Sequence, residues 1–309
     1  MKETLTIVSG SSHPAFAEGL AEFLQASVTK RELSVFPNGE LRARILGDVR
    51  GKTVVVVQSL FGSAGAQLIE FALLIDAVKR GFPQKVIGII PWLAYSLQDE
   101  QFRTGEPISS ESIARLIDAL KLSELILIDL HSLRTASYFK TQTRVIAPSE
   151  IFKDMLIGRY TENTLIVAPD DGARTRAMEL ASLVNGRVLV LKKVRDRQTL
   201  KIEYGKVKGN VAGKDCILCD DVVVTGDTLV EAATLLKESG AKSAAAFCTH
   251  ALFIKGSSDR ISRSQIDEIT VTDTLPITKA QQFDKLKIVS AIPAVGRAVS
   301  ALTKKGSGL

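Results

Sequence analysis

Short runs that are apolar from end to end constrain this chain more than any other feature. TLTIVSG (4–10), TVVVVQSL (53–60), KVIGIIPWLA (85–94) and ELILIDLH (124–131) show almost no apolar–polar alternation. A strand with one wet face alternates, whereas a strand covered on both faces does not. These runs therefore predict parallel sheet sandwiched between helices. The intervening segments supply the helices. HPAFAEGLAEFLQ (13–25) spaces Phe16, Leu20, Phe23 and Leu24 for one face, and AQLIEFALLIDAVKRG (66–81) closes on Lys-Arg-Gly. SSESIARLIDALKL (109–122) opens on serine, read as a cap, with Glu111 in its first turn.

The rhythm restarts near residues 142–150. TLIVAPDD (164–171), RVLVLKKV (187–194), DCILCDDVVV (215–224), SAAAFCTHALF (243–253) and EITVTDTL (268–275) form a second set of strands. Helices are expected at 173–184, 228–241 and 294–305. The chain of 309 residues thus reads as two similar α/β halves: 1–148, 149–303 and a flexible tail, 304–309. An excess of Lys and Arg over Asp and Glu leaves +6, which suits phosphorylated small molecules and decides nothing by itself. No apolar run is long enough for a membrane span, and the start MKETLTIVSG lacks a secretory pattern, so a cytoplasmic protein is expected. Dispersed basic residues and few aromatics argue against a nucleic-acid platform. Cys216 and Cys219 form a lone CxxC on a strand. Positions three apart there face opposite sides, so core packing is the favoured reading over metal binding. GDVRGKT (47–53) has the wrong glycine spacing for a phosphate-binding P-loop, and a strand follows it rather than a helix.

In parallel sheets ligands gather beyond the carboxyl ends of the strands. The polar segment DDVVVTGDT (220–228) stands at such an end. Two acids finish an apolar strand, and Thr225, Gly226, Asp227 and Thr228 open a helix. N–H groups at a helix start, approached closely across a glycine, cradle a phosphate monoester. Asp220 and Asp221 are placed to accept hydrogen bonds from the vicinal hydroxyls of a sugar.

This segment resembles the loop shared by ribose-phosphate diphosphokinases and type I phosphoribosyltransferases. Six further matches lie in order along the chain: FPNGE (36–40), PWLAYSLQDEQFRTGEP (91–107), Leu130-His131, APDDG (168–172), LKKVR (191–195), and THALF with TDT (249–253, 272–274). Together they resemble the diphosphokinases. That resemblance implies two domains of type I phosphoribosyltransferase-like fold and transfer of the diphosphoryl group of ATP to the 1-hydroxyl of ribose 5-phosphate. It implies ATP binding by Phe36, Asn38, Glu40, Gln98, Asp99 and His131, and ribose 5-phosphate binding by Asp220, Asp221, Thr225, Gly226, Asp227 and Thr228. Lys193, Arg195 and His131 are the implied catalytic residues. Mg²⁺ is the implied cofactor, with His131 and Asp170 as metal ligands. A homo-oligomer, a dimer or a hexamer of dimers, is implied as well.

Departures accompany the matches. Leu97 stands where the family carries arginine, Asn38 where it carries aspartate, and Val224 where many members carry aspartate. Asp227, often glycine in the family, sets negative charge beside a phosphate cradle, which is unfavourable unless the side chain turns to solvent or a metal. These departures motivate one alternative, a catalytically weak regulatory paralogue. A type I phosphoribosyltransferase is the other; it explains 220–228 but leaves the first half without a task.

Overall fold

The computed structural model describes residues 5–195, 202–254 and 256–304. The chain divides into two compact units, one of residues 1–146, 274–276 and 291–309, the other of 147–273 and 277–290. The first contains β1 (Leu5–Ser9), α1 (Pro14–Leu24), β2 (Ser27–Val28), β3 (Arg31–Val35), β4 (Leu41–Ile45) and β5 (Thr53–Val57). It continues through α2 (Ala64–Arg80), β6 (Lys85–Ile90), α3 (Ser109–Asp118), β7 (Glu124–Ile128), α4 (Leu133–Ser137) and β8 (Thr143–Ile146). The second opens with α5 (Pro148–Arg159), β9 (Thr164–Ala168), α6 (Arg174–Ser182), β10 (Arg187–Val190), β11 (Lys193–Arg195) and β12 (Ile202–Tyr204). Then come β13 (Asp215–Val223), α7 (Asp227–Glu238), β14 (Ser243–Ala251), α8 (Ser257–Ser262), β15 (Glu268–Thr272) and β16 (Leu286–Val289). Helix α9 (Ile292–Lys304) ends the described chain.

Each unit is built on a six-stranded parallel sheet, ordered β2-β1-β5-β6-β7-β8 in one and β10-β9-β13-β14-β15-β16 in the other. The orders are the same once the strands are numbered within each unit. Each unit also sets a two-stranded antiparallel ribbon, β3–β4 or β11–β12, between its edge strand and its third strand. The two α/β halves expected from the apolar runs are present. β5 and β7 are buried along their whole length, as strands covered on both faces must be. Helix α2 covers one face with Leu68, Phe71, Leu74, Ile75 and Val78, a helical stripe. Gly88 on β6 lets this helix in: a Cβ there would lie 3.0 Å from the Phe71 ring. In the second unit α7 buries Leu229, Ala232, Ala233 and Leu236 in the same rhythm, over β13 and β14.

The structure departs from the sequence reading at three places. RVLVLKKV is not one strand: β10 stops at Val190, and the chain starts again at Lys193 in a ribbon of its own. The leading serine of 109–122 is not a cap. Ile108 holds the N-cap position, and the Ser109 hydroxyl donates instead to the Gln98 side chain. The final helix, expected in the C-terminal half, clusters with the first unit and packs on α1. Glycines on both helices permit that approach: a Cβ on Gly19 would meet Ile292, and one on Gly296 would meet the Phe23 ring. In the second unit the corresponding place beside α6 is taken by α5.

Candidate functional site

Strand β13 carries Asp220 and Asp221 close to its carboxyl end at Val223. The turn after it is fixed by Gly226, the N-cap of α7, at φ +84°. A side chain there would be strained by the dihedral and would also strike Ile261 of α8, whose Cγ1 and Cδ1 lie 2.8 and 2.9 Å from the Cβ position. Asp227 and Thr228 begin the helix, and the Asp227 N–H donates weakly to Thr225 Oγ1 at 3.4 Å. Around this turn residues 222–229 and Asp220 line a cavity of about 120 Å³. That is small beside the roughly 300–1,000 Å³ of a site for a whole drug-sized ligand, and it lies against the first turn of α7. A small cavity against a helix start is a place where an anion can be held.

The two acids at the strand end differ in setting. Asp221 is buried, with Arg176 of α6 beside it at 3.8 Å. Asp220 is half-buried, and its Oδ1 accepts from the Asp221 N–H at 3.0 Å. Burial first, then the adjacent Asp221 carboxylate, push the Asp220 carboxyl well above the usual carboxylate range; Arg176 pulls the other way and Asp170 adds to the rise. Asp170 lies in the turn after β9, where its Oδ1 accepts from the Ala173 N–H at 3.2 Å and so shapes the entry to α6. Asp170, Asp220, Asp221 and residues 225–228 therefore stand together at one edge of the second unit.

Asp227 does not face the cradle alone. Arg260 of α8 pairs with its carboxylate at 3.1 Å and donates to the Thr225 carbonyl at 2.9 Å. Arg260 and Arg176 were missed in the sequence. Arg176 had a signal, since it falls four residues before buried Leu180 on the stripe of α6. Arg260 had none, because its partner lies 33 residues away through the fold. Lys193 and Arg195 belong to β11, which pairs with β12 by Lys193 opposite Tyr204 and Arg195 opposite Ile202; their side chains lie outside the described residues.

In the first unit the ribbon β3–β4 presents Phe36, Asn38 and Glu40 at its tip, all exposed. Gly39 at φ +89° turns the chain, and Asn38 Oδ1 accepts from the Glu40 N–H at 3.2 Å. The segment after β6 is buried through Trp92, Leu93 and Ala94 and then emerges, with Tyr95 at φ +66°. Leu97 points outward, Gln98 steadies Ser109, and Asp99 lies 3.8 Å from Arg134. Arg134 also bonds Glu100 at 2.6 Å, so a cation absent from the sequence reading reaches the segment that lacks its arginine. After β7, Asp129 is buried at φ +34° and His131 is exposed. Left-handed backbone at Tyr95 and Asp129 marks the carboxyl edge of this sheet as a place where the fold holds strain.

His13 and His250 are buried, as are all three cysteines, none of them disulfide-bonded. Burial pushes the Cys216 thiol up to about 11, which suits a packing role and not a reactive one. Among the described residues no helix is long and apolar enough to cross a membrane.

Residues 5–120 match the family model of the N-terminal domain of ribose phosphate pyrophosphokinase, and residues 198–307 match that of the phosphoribosyl synthetase-associated domain. The ribose-phosphate pyrophosphokinase of Aquifex aeolicus is 33% identical over 95% of this chain and 94% of its own length. That of Corynebacterium efficiens is 32% identical over 99% and 94%. The crystal structure of phosphoribosylpyrophosphate synthetase from Mycobacterium smegmatis is similar with a TM-score of 0.90 at 30% identity, covering 98% of this chain and 100% of that one. With two units of the same parallel-sheet order and this similarity along almost its full length, the chain belongs to the ribose-phosphate pyrophosphokinase family of enzymes.

Proposed function

We propose that this chain transfers the diphosphoryl group of ATP to the 1-hydroxyl of ribose 5-phosphate, releasing AMP, in the service of nucleotide synthesis. The observation that carries the reading is the arrangement at residues 220–228: two acids near the end of an apolar strand, a left-handed glycine and the start of α7 around a small cavity. In this reading the 5-phosphate sits against the N–H groups of 225–228, with the Thr225 and Thr228 hydroxyls beside it. Asp220 and Asp221 accept from the ribose 2- and 3-hydroxyls, and Arg176 keeps Asp221 oriented toward them. Fixing the sugar at both ends presents its 1-hydroxyl to the nucleotide in one pose, which is most of what diphosphoryl transfer asks of a protein.

The nucleotide is assigned to Phe36, Asn38 and Glu40 at the ribbon tip and to Gln98, Asp99 and His131. An exposed aromatic with amide and carboxylate neighbours suits a base's flat face and its polar edge. Lys193 and Arg195 are assigned to the charge that builds on the transferred group.

Mg²⁺ is implied by the family. Among the described residues no three His, Cys, Asp or Glu side chains gather as a metal-holding group. A magnesium ion that works on phosphates needs only one or two carboxylates, the rest of its shell being phosphate oxygens and water. The edge at Asp170 and Asp220, where burial first and then the neighbouring Asp221 carboxylate hold the Asp220 carboxyl above its ordinary pKa, gathers the oxygen ligands such an ion takes. Asp170 on this edge would hold it, and when bound it would neutralise phosphate charge; His131 is the other metal ligand that the resemblance implies. A homo-oligomer is proposed on the exposed apolar residues of the ribbon, Val35 at 63% and Phe36 at 47% exposure. A cytoplasmic setting accords with three cysteines that form no disulfide.

Incubation with ATP, Mg²⁺ and ribose 5-phosphate, followed by separation of nucleotides, is expected to give AMP in proportion to phosphoribosyl pyrophosphate. Release of ADP, or no nucleotide product from the intact protein, refutes the assignment.

A further inference from the structure

The acid at position 227 sits in the first turn of α7, at the same N–H edge that the 5-phosphate requires. A carboxylate there is drawn to the helix start by the same partial charge that attracts a phosphate, so the two compete. The structure holds a device that separates them. Helix α8 packs on the turn from one side, with Ile261 against Gly226, and from it Arg260 reaches two groups of the loop: the Asp227 carboxylate at 3.1 Å and the Thr225 carbonyl at 2.9 Å. Both side chains of the ion pair are about half exposed, so the pair itself adds little to stability. Its effect is instead on where the Asp227 charge lies. The nearest other charge on the short helix, Asp259, lies one residue before Arg260.

We propose that Arg260 is a positioning residue for ribose 5-phosphate, holding the Asp227 carboxylate off the phosphate cradle while it pins the Thr225 carbonyl. Without the guanidinium, Asp227 turns to the helix start and acts as a built-in competitor for the phosphate. The inference rests on the assignment of ribose 5-phosphate to this loop and adds to it a residue on a separate helix. It explains how the chain keeps a carboxylate in a position where negative charge opposes binding.

The test is a double-mutant cycle on the intact enzyme, with KM for ribose 5-phosphate, KM for ATP, kcat and the melting temperature measured for each variant. Arg260→Ala is expected to raise KM for ribose 5-phosphate about tenfold, with kcat within about twofold and KM for ATP unchanged. In the Asp227→Asn background the same substitution is expected to raise it less than about twofold, because no competing charge remains. A tenfold loss that persists in the Asp227→Asn background overturns the proposal, since Arg260 would then serve the loop in another way. So does an unchanged KM in Arg260→Ala, or a loss confined to kcat. If Arg260→Ala fails to fold, Arg260→Gln keeps a donor for Thr225 and removes the charge, and the same pattern is required of it. The wild-type assay separates the two levels of the argument: a wild type that does not use ribose 5-phosphate removes the parent assignment and the proposal with it, whereas an active wild type with no coupling removes the proposal alone.

Discussion

Gly226→Ala tests the architecture of the phosphate cradle most directly. Two costs follow from its geometry. The first is conformational, since φ +84° is left-handed and an L side chain there costs about 1–2 kcal/mol. The second is steric. The new Cβ would stand 2.8 and 2.9 Å from Ile261 Cγ1 and Cδ1, roughly 1 Å inside comfortable carbon contact, and overpacking of that kind costs about 1–3 kcal/mol. The sum is about 2–5 kcal/mol, and at about 2–4 °C per kcal/mol it lowers the melting temperature by roughly 4–20 °C. Two units need not melt together, so the measurement follows the transition that ribose 5-phosphate shifts upward. Gly213→Ala is the control in the same unit. Its φ is +68°, but nothing lies within 4 Å of the Cβ position, so only the first cost applies. Ile261→Val removes the Cδ1 atom and should recover about 1 kcal/mol in the Gly226→Ala background, while costing about 0.5–1.5 kcal/mol alone. If Gly226→Ala proves no more damaging than Gly213→Ala, or if Ile261→Val recovers nothing, then α8 does not set the turn, and the steric argument is wrong.

Two more substitutions separate stability from chemistry. Asp220 titrates above the usual carboxylate range, so between its unfolded and folded pKa values the native state binds more protons and loses stability as pH rises. Asp220→Asn should therefore raise the melting temperature more at about pH 8 than at about pH 5, while impairing use of ribose 5-phosphate; an equal shift at both pH values contradicts the crowding of charge at that edge. Lys193→Ala should leave the melting temperature within about 2 °C and lower kcat by about 10²–10³-fold; an unchanged rate would favour the regulatory paralogue over the enzyme.

What the sequence disclosed follows from how local each determinant is. Residues 220–228 were legible because strand, glycine and helix start are contiguous, and the carboxyl-edge rule says where to look. The ribbon β3–β4 is also written locally, as Asn38-Gly39 between charged and apolar residues in alternation, a hairpin signal weaker than the longer apolar runs around it. RVLVLKKV hid a change of sheet, because continuous hydrophobicity reports burial and not partners: Leu191 is buried although β10 has already ended. Helix α9 carries a good apolar stripe, but no stripe states which core receives it; Gly19 and Gly296, far apart in sequence, decide that together. Arg260 belongs to the same class. Its meaning depends on Asp227, and their meeting is a product of the fold.

The duplicated frame also sets two loops at equivalent positions in different surroundings. β5 and β13 hold the same place in their sheets, third in order, and each leads through a loop into a helix. After β13 the loop leaves a cavity, with glycine turned left-handed and Asp220 at its rim. After β5 the corresponding space is filled from within: Gln58, Ser59 and Leu60 are buried. Gln58 Oε1 accepts from the Ser12 hydroxyl at 2.8 Å, and Gln58 Nε2 donates to buried Glu70 at 3.0 Å. Glu70 also accepts from the Ser11 N–H and hydroxyl, each at 2.6 Å, so a side chain of α2 takes up donors that a bound anion would otherwise use. Gly10 permits this closure, because a Cβ there would overlap the Gln58 amide. One frame thus gives a self-satisfied polar core in the first unit and an open cradle in the second. The difference lies in the polar groups around each loop: beside β5 the Gln58 amide and the Ser11 donors of the loop after β1 are met by Glu70, whereas the turn after β13 borders a cavity.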